Sequence, residues 1–204
     1  MRVIAGIAGG IPLHTPRTDL RPTMDVVKGA IFSSLGELVI GARVLDLFAG
    51  GGSLGIEALS RGAARVTFVE SDRTATASIE RNLGKTNLAS PAAIVQQMDV
   101  FRFLDRRGGG GDQRGLEDGR AAAPASYEIV LADPPYAKAE GERDFGSELL
   151  GSEALLHALA PGGIFVLEHL PSATLKLGKA WTCLRDKRYG ATAVAFLQPP
   201  APSA

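Results

Sequence analysis

Four consecutive residues, Asp133-Pro134-Pro135-Tyr136, combine groups that can act together on a flat amine. An amine attached to a carbonyl or an aromatic ring is a poor nucleophile, because its lone pair is delocalised. Ionised Asp133 only accepts hydrogen bonds, and Pro134 offers a carbonyl on a backbone that proline stiffens and deprives of an N–H. Two acceptors can hold two amine hydrogens, so that the lone pair turns out of the plane toward an electrophile as a bond forms. Tyr136 adds a flat face for a ring, and stacking of this kind is worth roughly 1–3 kcal/mol per base. The same four residues also make an ordinary rigid turn with Tyr136 packed on a core, so the rest of the chain has to decide between the two.

The tetrad follows Tyr127-Glu128-Ile129-Val130-Leu131-Ala132, a short, partly β-branched run that predicts a buried strand with the tetrad at its C-terminal edge. From Arg43 the pattern is a strand over 43–47, a glycine loop, a helix to about Arg61, a strand over 65–69 ending at Glu70, a helix over 72–87, a strand over 92–97, then Asp99. Alternating units with short connections predict an α/β fold, a parallel sheet covered by helices on both faces. After the tetrad, residues 145–159 read as one helix stopped by Pro161-Gly162-Gly163, residues 164–169 as a strand, and residues 181–189 and 192–197 as an antiparallel pair around Gly190. Residues 2–13 predict a hairpin or two short strands outside the main sheet. A polar loop with Pro16 and Pro22 leads to a helix capped by Thr23, with Val26, Val27, Ala30, Ile31, Leu35 and Leu38 on one face. The expected organisation is an N-terminal extension over 1–40 and a catalytic domain over 41–198, with a flexible Gly-rich insertion at 107–126 that carries no chemistry and a frayed tail from Pro199.

The 204 residues, 45% of them hydrophobic, suffice for one full core. With 22 basic and 22 acidic residues, no global field draws the protein onto a polyanion, and nucleic-acid binding has to rest on local patches such as Arg2, Arg17, Arg21 and Lys28. Cys183 is the only cysteine, which excludes internal disulfides and Cys-rich metal sites and fits a reducing compartment. No run approaches the ~18 apolar residues of a membrane span, and a cytoplasmic protein is expected. His14, His157 and His169 lack metal-ligand spacing and are read as structural.

Gly50, Gly52 and Gly55 form G-x-G-x-x-G after a strand and before a helix, with Glu70 downstream, as a dinucleotide site requires. A pyrophosphate there needs a neutral or positive surround, yet Asp46 closes the strand just before the loop. A carboxylate suits a ligand with an ammonium group. S-adenosylmethionine has one, has no phosphate, and offers a ribose diol to Glu70 and an adenine amine to Asp99, while the glycines let the backbone approach its methionine portion. Asp46 could equally be a cap or loop acid, and Asp99 the N-cap of a short helix containing Phe101 and Leu104. A methyl donor beside a two-acceptor clamp favours methyl transfer to a planar nitrogen, since hydride transfer has no use for such a clamp. Adenine N6 in DNA, a protein glutamine amide, an NAD enzyme and a non-catalytic RNA-binding module remain as alternatives.

Arg21-Pro22-Thr23, the run from Leu45 through Phe48-Ala49-Gly50-Gly51-Gly52-Ser53-Leu54-Gly55 to Glu57-Ala58-Leu59-Ser60-Arg61-Gly62, then Glu70 and Asp133-Pro134-Pro135-Tyr136, together resemble the RsmD-type 16S rRNA guanine-N2 methyltransferases. The resemblance implies a Rossmann-like, seven-stranded class I methyltransferase fold with an antiparallel C-terminal hairpin, and an enzyme of EC class 2.1.1. It implies S-adenosylmethionine as methyl donor and a guanine N2 of 16S rRNA, within an assembling small ribosomal subunit, as acceptor. Carried over, Asp133, Pro134, Pro135 and Tyr136 hold and stack the guanine. Asp46, Phe48, Ala49, Gly50, Gly52, Ser53, Glu70, Ser71 and Asp99 line the cofactor site, with Arg21 and Thr23 at its lid, and a monomer is expected. The chain departs from the family at Gly6-Ile7-Ala8-Gly9-Gly10-Ile11, where Lys and Arg are usual, which implies weaker and less salt-dependent RNA binding. Lys138, Arg143 and residues 176–188 are the other candidate basic contacts.

Overall fold

The apolar runs become a seven-stranded sheet in the order β3-β2-β1-β4-β5-β7-β6: β1 is Arg43–Leu47, β2 Arg65–Glu70, β3 Ala93–Gln97, β4 Tyr127–Ala132, β5 Leu159–His169, β6 Thr182–Tyr189 and β7 Thr192–Gln198. Pairing is parallel from β3 through β5 and antiparallel for β5 with β7 and β7 with β6. The computed structural model describes residues 1–15, 23–108, 126–137 and 141–200; the Gly-rich insertion falls largely outside these, as do Arg17, Arg21 and Lys138.

Strand alternation divides the core into two layers. Val44, Phe68, Ile129, Leu131 and Val166 pack under α1 (Thr23–Leu35), α2 (Ser53–Ser60) and α3 (Arg73–Lys85). Leu45, Leu47, Val130, Phe165 and Leu167 pack under α4 (Val100–Gly108), α5 (Phe145–Leu150) and α6 (Glu153–Ala158). Both faces are covered, as a parallel sheet demands.

Several local expectations are corrected. Thr23 is the first described residue of α1 and already helical, and its side chain, the expected cap, lies outside the described residues. On α1 the buried stripe is Val27, Ile31, Phe32 and Leu35, while Val26 is 64% and Leu38 58% exposed. The helix expected from residue 72 begins one residue later because Asp72 caps it, its carboxylate accepting from the Ala75 N–H at 2.8 Å. The single helix over 145–159 is two, because Ser152 accepts from Leu155 N and starts a new helix after Gly151. Pro161-Gly162-Gly163 does not precede β5 but lies within it: Tyr127 faces Leu159 and Ile129 faces Ile164, so the segment loops out as a bulge.

The N-terminal segment forms one antiparallel bridge, Arg2 with Pro12, rather than a full hairpin. Side chains of α2 hold it in place. Fully buried Glu57 accepts from Ile4 N (2.6 Å), Ala5 N (3.0 Å) and Arg61 Nε (2.7 Å), and Ser60 Oγ donates to Ala5 O and accepts from Ala8 N. Lys28, read from sequence as part of a basic patch, is buried, donating to Arg2 O and Ser53 Oγ, with Glu57 and Asp25 at 3.9 Å. Burial holds its ammonium below the usual lysine range against the pull of Glu57 and Asp25. Glu57→Ala leaves two backbone N–H groups and Lys28 without this carboxylate, and is expected to lower unfolding stability by about 3 kcal/mol. Urea denaturation checks this; a loss below about 1 kcal/mol would mean that water replaces the carboxylate freely.

Candidate active site

In the parallel register, Asp46 lies beside Phe68 on one side and Leu131 on the other, and Leu131 lies beside Val166. These four share one face of the sheet, and two residues further along the strands come Glu70, Asp133 and Glu168. The period of two keeps them on that face. Asp99 follows β3 by two residues. Every parallel strand therefore delivers one carboxyl to the C-terminal edge, in the spatial order Asp99, Glu70, Asp46, Asp133, Glu168.

Each acid is fixed differently. Asp46 is 1% exposed beneath the glycine loop and accepts from Gly55 N–H at 2.8 Å. Burial, only partly offset by that bond and reinforced by Asp133 and Glu70, raises its carboxyl to about 8. Glu70 joins two loops: Oε2 accepts from Gly50 N–H (2.8 Å), and Oε1 from Asp72 N–H (2.9 Å) with Ser71 Oγ at 3.5 Å. Asp99 Oδ1 accepts from Phe101 and Arg102 N–H, the capping role weighed at the sequence level, and its side chain is exposed at the edge.

The glycine loop is shaped for close approach at one position. Gly50 has φ 55° with open space where a Cβ would stand, whereas Gly52 (φ 80°) would meet Ile79 and Ile56 at 3.2–3.3 Å and Gly55 would meet Phe68 at 2.3 Å. The missing Cβ thus serves the turn and helix packing at Gly52 and Gly55, and at Gly50 it leaves open space beside the backbone. Phe48 holds φ 55°, a conformation costly for a bulky side chain. Ala49 is buried, its N–H bonded to Val69 O at 3.1 Å, and the Ser53 hydroxyl is engaged by Lys28.

On the far side of the tetrad, Pro134, Pro135, Tyr136, Ser147, Glu168 and His169 line an open cavity. The Tyr136 hydroxyl is 2.6 Å from Thr192 Oγ1, which also bonds His169 O at 3.3 Å, so the ring is pinned by its tip at the cavity wall. His169 is bound at both nitrogens, to Leu170 O and Asp186 Oδ1, in keeping with a structural role.

Sequence reasoning missed three features. Glu168 ends an apolar strand as Glu70 does, and that shared pattern was the available signal. Thr192 opens β7 and gave none. Phe48, Phe101 and Phe145 form an aromatic cluster, with centroids 5.3–6.5 Å apart, beside Asp99. Arg143 lies over Phe101 and Phe145 at 4.8 and 4.7 Å and pairs with Glu148, so this expected basic contact is already engaged. Arg185, Lys187 and Arg188 stand exposed on edge strand β6. No group of metal-ligating side chains occurs among the described residues, and none of their helices is long and apolar enough to cross a membrane.

Glu70 and Asp99 beside an open Gly50 repel a pyrophosphate and suit a cationic ligand, so the residues present fit S-adenosylmethionine; Asp46, the carboxylate expected from sequence to meet its ammonium, is instead buried beneath the loop with its carboxyl raised to about 8. The pH dependence of stability tests the Asp46 environment. A carboxyl raised from 3.8 to about 8 is protonated in the folded chain and ionised in the unfolded one between those values, so stability is full below about pH 4 and declines as pH rises toward 8. Asp46→Asn is expected to flatten that decline in melting temperature between pH 5 and about pH 8; equal slopes in both proteins would place the titrating group elsewhere.

A family model described as conserved hypothetical protein 95 matches residues 1–198. The chain is 30% identical over 203 residues to ribosomal RNA small subunit methyltransferase D of Escherichia coli K12, covering 97% of this chain and 89% of that protein. It is 33% identical over 202 residues to the putative rRNA methyltransferase YlbH of Bacillus subtilis, covering 96% and 97%. The solved structure of putative methyltransferase yhhF from E. coli aligns with a TM-score of 0.73 at 30% identity over 99% of both chains. A T. thermophilus 16S rRNA N2 methyltransferase (RsmC), solved with AdoMet and guanosine, shares the fold with a TM-score of 0.64 at 24% identity, over 91% of this chain and 45% of that one. The architecture is the Rossmann-like class I methyltransferase fold, and with a match that runs from the first residue to the end of β7, the chain belongs to the conserved hypothetical protein 95 family, that of the RsmD-type methyltransferases.

Proposed function

We propose that this chain is an S-adenosylmethionine-dependent rRNA methyltransferase that methylates the exocyclic N2 of a guanine in small-subunit rRNA. The observation that carries this reading is the adjacency of two half-sites on one sheet edge: the acid row around Gly50, and the cavity formed by the Asp-Pro-Pro-Tyr loop with Glu168. The names of the E. coli and B. subtilis relatives support the substrate class.

Glu70 would hold the ribose diol, Asp99 the adenine amine beside Phe48 and Phe101, and Ala49, Gly50 and Gly52 the methionine portion, with Asp46 supporting their loop from beneath through Gly55. Ser53 and Ser71 flank this site. S-adenosylmethionine, when bound, supplies a methyl group on a cationic sulfur, and the sulfur keeps the electron pair of the broken bond. Asp133 and the Pro134 carbonyl accept the two N2 hydrogens and orient the nitrogen lone pair toward that methyl. Asp133 also holds the proton that the amine sheds once its new N–C bond has formed. Tyr136, pinned by Thr192, stacks the base, which has to be unpaired to enter. Glu70, Asp99 and Asp133 favour a positively charged donor over the neutral thioether left behind.

The test is methyl transfer from labelled S-adenosylmethionine to small subunits and naked 16S rRNA from cells lacking the protein, with mass mapping of the product. Label in N2-methylguanosine is the expected result. Label in N6-methyladenine or in protein assigns the clamp to another planar amine, and no transfer to any acceptor removes the enzymatic reading.

A further inference from the structure

The proposed reaction assigns a partner to the two N2 hydrogens but none to the rest of the base edge. Guanine presents beside its amine a ring N1–H donor and then the O6 acceptor, and both need partners when taken out of water. Continuing the β4–β5 register one step beyond Ala132 and Leu167 sets Glu168 next to Asp133, on the same face and one strand spacing of about 4.8 Å away. Glu168 lines the same cavity as Pro134 and Tyr136, and it hydrogen-bonds Thr192, the residue that pins the Tyr136 ring. Ring wall and Glu168 are therefore joined through Thr192, with Asp133 of the amine clamp one strand away.

We propose that Glu168 reads the ring edge of the base, pairing with N1–H of a guanine whose amine is held by Asp133 and Pro134. The inference rests on the assignment of this cavity to guanine made above. Burial, with the neighbouring Asp133 charge, pushes the Glu168 carboxyl well above the usual range, against the opposing hydrogen bond from Thr192. In its neutral form the carboxyl has one donor and one acceptor, which match O6 and N1–H together. An N1-methyl group removes the donor and fills the space the carboxyl occupies.

The experiment titrates guanosine and 1-methylguanosine into the protein saturated with S-adenosylhomocysteine, by calorimetry or ligand-observed NMR, for wild type, Glu168→Gln and Glu168→Ala. Wild type is expected to prefer guanosine by at least about tenfold, as a polar site rejects a ligand that leaves it unpaired. Glu168→Gln keeps an acceptor for N1–H and a donor for O6, and should retain that preference. Glu168→Ala opens space at N1 and should lose most of it, with 1-methylguanosine gaining in absolute affinity. An alanine variant that keeps the wild-type preference, or a glutamine variant that loses guanosine while still binding S-adenosylhomocysteine, overturns the role of Glu168. A wild-type protein that binds S-adenosylhomocysteine but neither nucleoside overturns instead the assignment of the cavity to guanine.

Discussion

Asp133→Ala is expected to lower methyl transfer by about 10²–10³-fold while leaving affinity for S-adenosylhomocysteine within about twofold of wild type. The carboxylate would act only on the acceptor amine, and its hydrogen bonds strengthen as the nitrogen gains positive charge, so its loss falls on kcat more than on binding. The position supports a split effect. Asp133 directly follows β4, next to β5, and Glu70 and Gly50 lie across β1 from it. Asp133→Asn separates charge from geometry, because the amide keeps one acceptor but turns a donor toward the amine. It should fall nearly as far as alanine if accepting two-sidedly matters, and retain about a tenth of wild-type activity if one acceptor suffices. Single-turnover rates and calorimetry on the same preparations decide this, and parallel losses of turnover and cofactor affinity would make Asp133 a structural residue.

Glu70→Ala should do the reverse, weakening S-adenosylhomocysteine binding by about 10–100-fold, or about 1.4–2.8 kcal/mol at 1.4 kcal/mol per tenfold. Hydrogen bonds from neutral groups to a carboxylate are worth about 1.5–3 kcal/mol, and Glu70 has a second task besides the ribose. Its oxygens tie Gly50 N–H to Asp72 N–H, holding the glycine loop against the turn into α3. Removal therefore loses a ligand contact and slackens the loop that makes the others. Glu70→Gln distinguishes the two, since one oxygen can still accept from Gly50 while the NH₂ opposes Asp72 N–H. An affinity for the glutamine variant midway between wild type and alanine is expected. An unchanged dissociation constant in the alanine variant would take Glu70 out of the cofactor site.

How far these residues were legible beforehand follows from whether their signal is local. Asp46, Glu70 and the tetrad each close an apolar run, so strand ends and their acids could be read from alternation and length alone. Glu168 shares that local pattern and was still passed over, because nothing near it in sequence suggests a pocket. Lys28 was misread for the opposite reason, and the packing of Arg143 had no local signal either. Charge in a polar stretch looks solvated, and only packing shows Lys28 enclosed by Glu57, Ser53 and Arg2, and Arg143 laid over two phenylalanines. Gly52 and Gly55 look like ligand glycines in the motif, and only packing shows that the atoms excluding a Cβ there come from Ile79 and Phe68.

The sequence by itself determined the parallel α/β plan, the position of the glycine loop and the place of the Asp133-Pro134-Pro135-Tyr136 tetrad just past a strand end, because hydrophobic periodicity, turn chemistry and short motifs act over a few residues. Tertiary structure decided the order of the acids along the edge, their common face and the joining of Tyr136 and Glu168 through Thr192. Those facts depend on the register between strands far apart in the chain. A slip of one residue turns every side chain to the other face, so no reading of a single strand contains them.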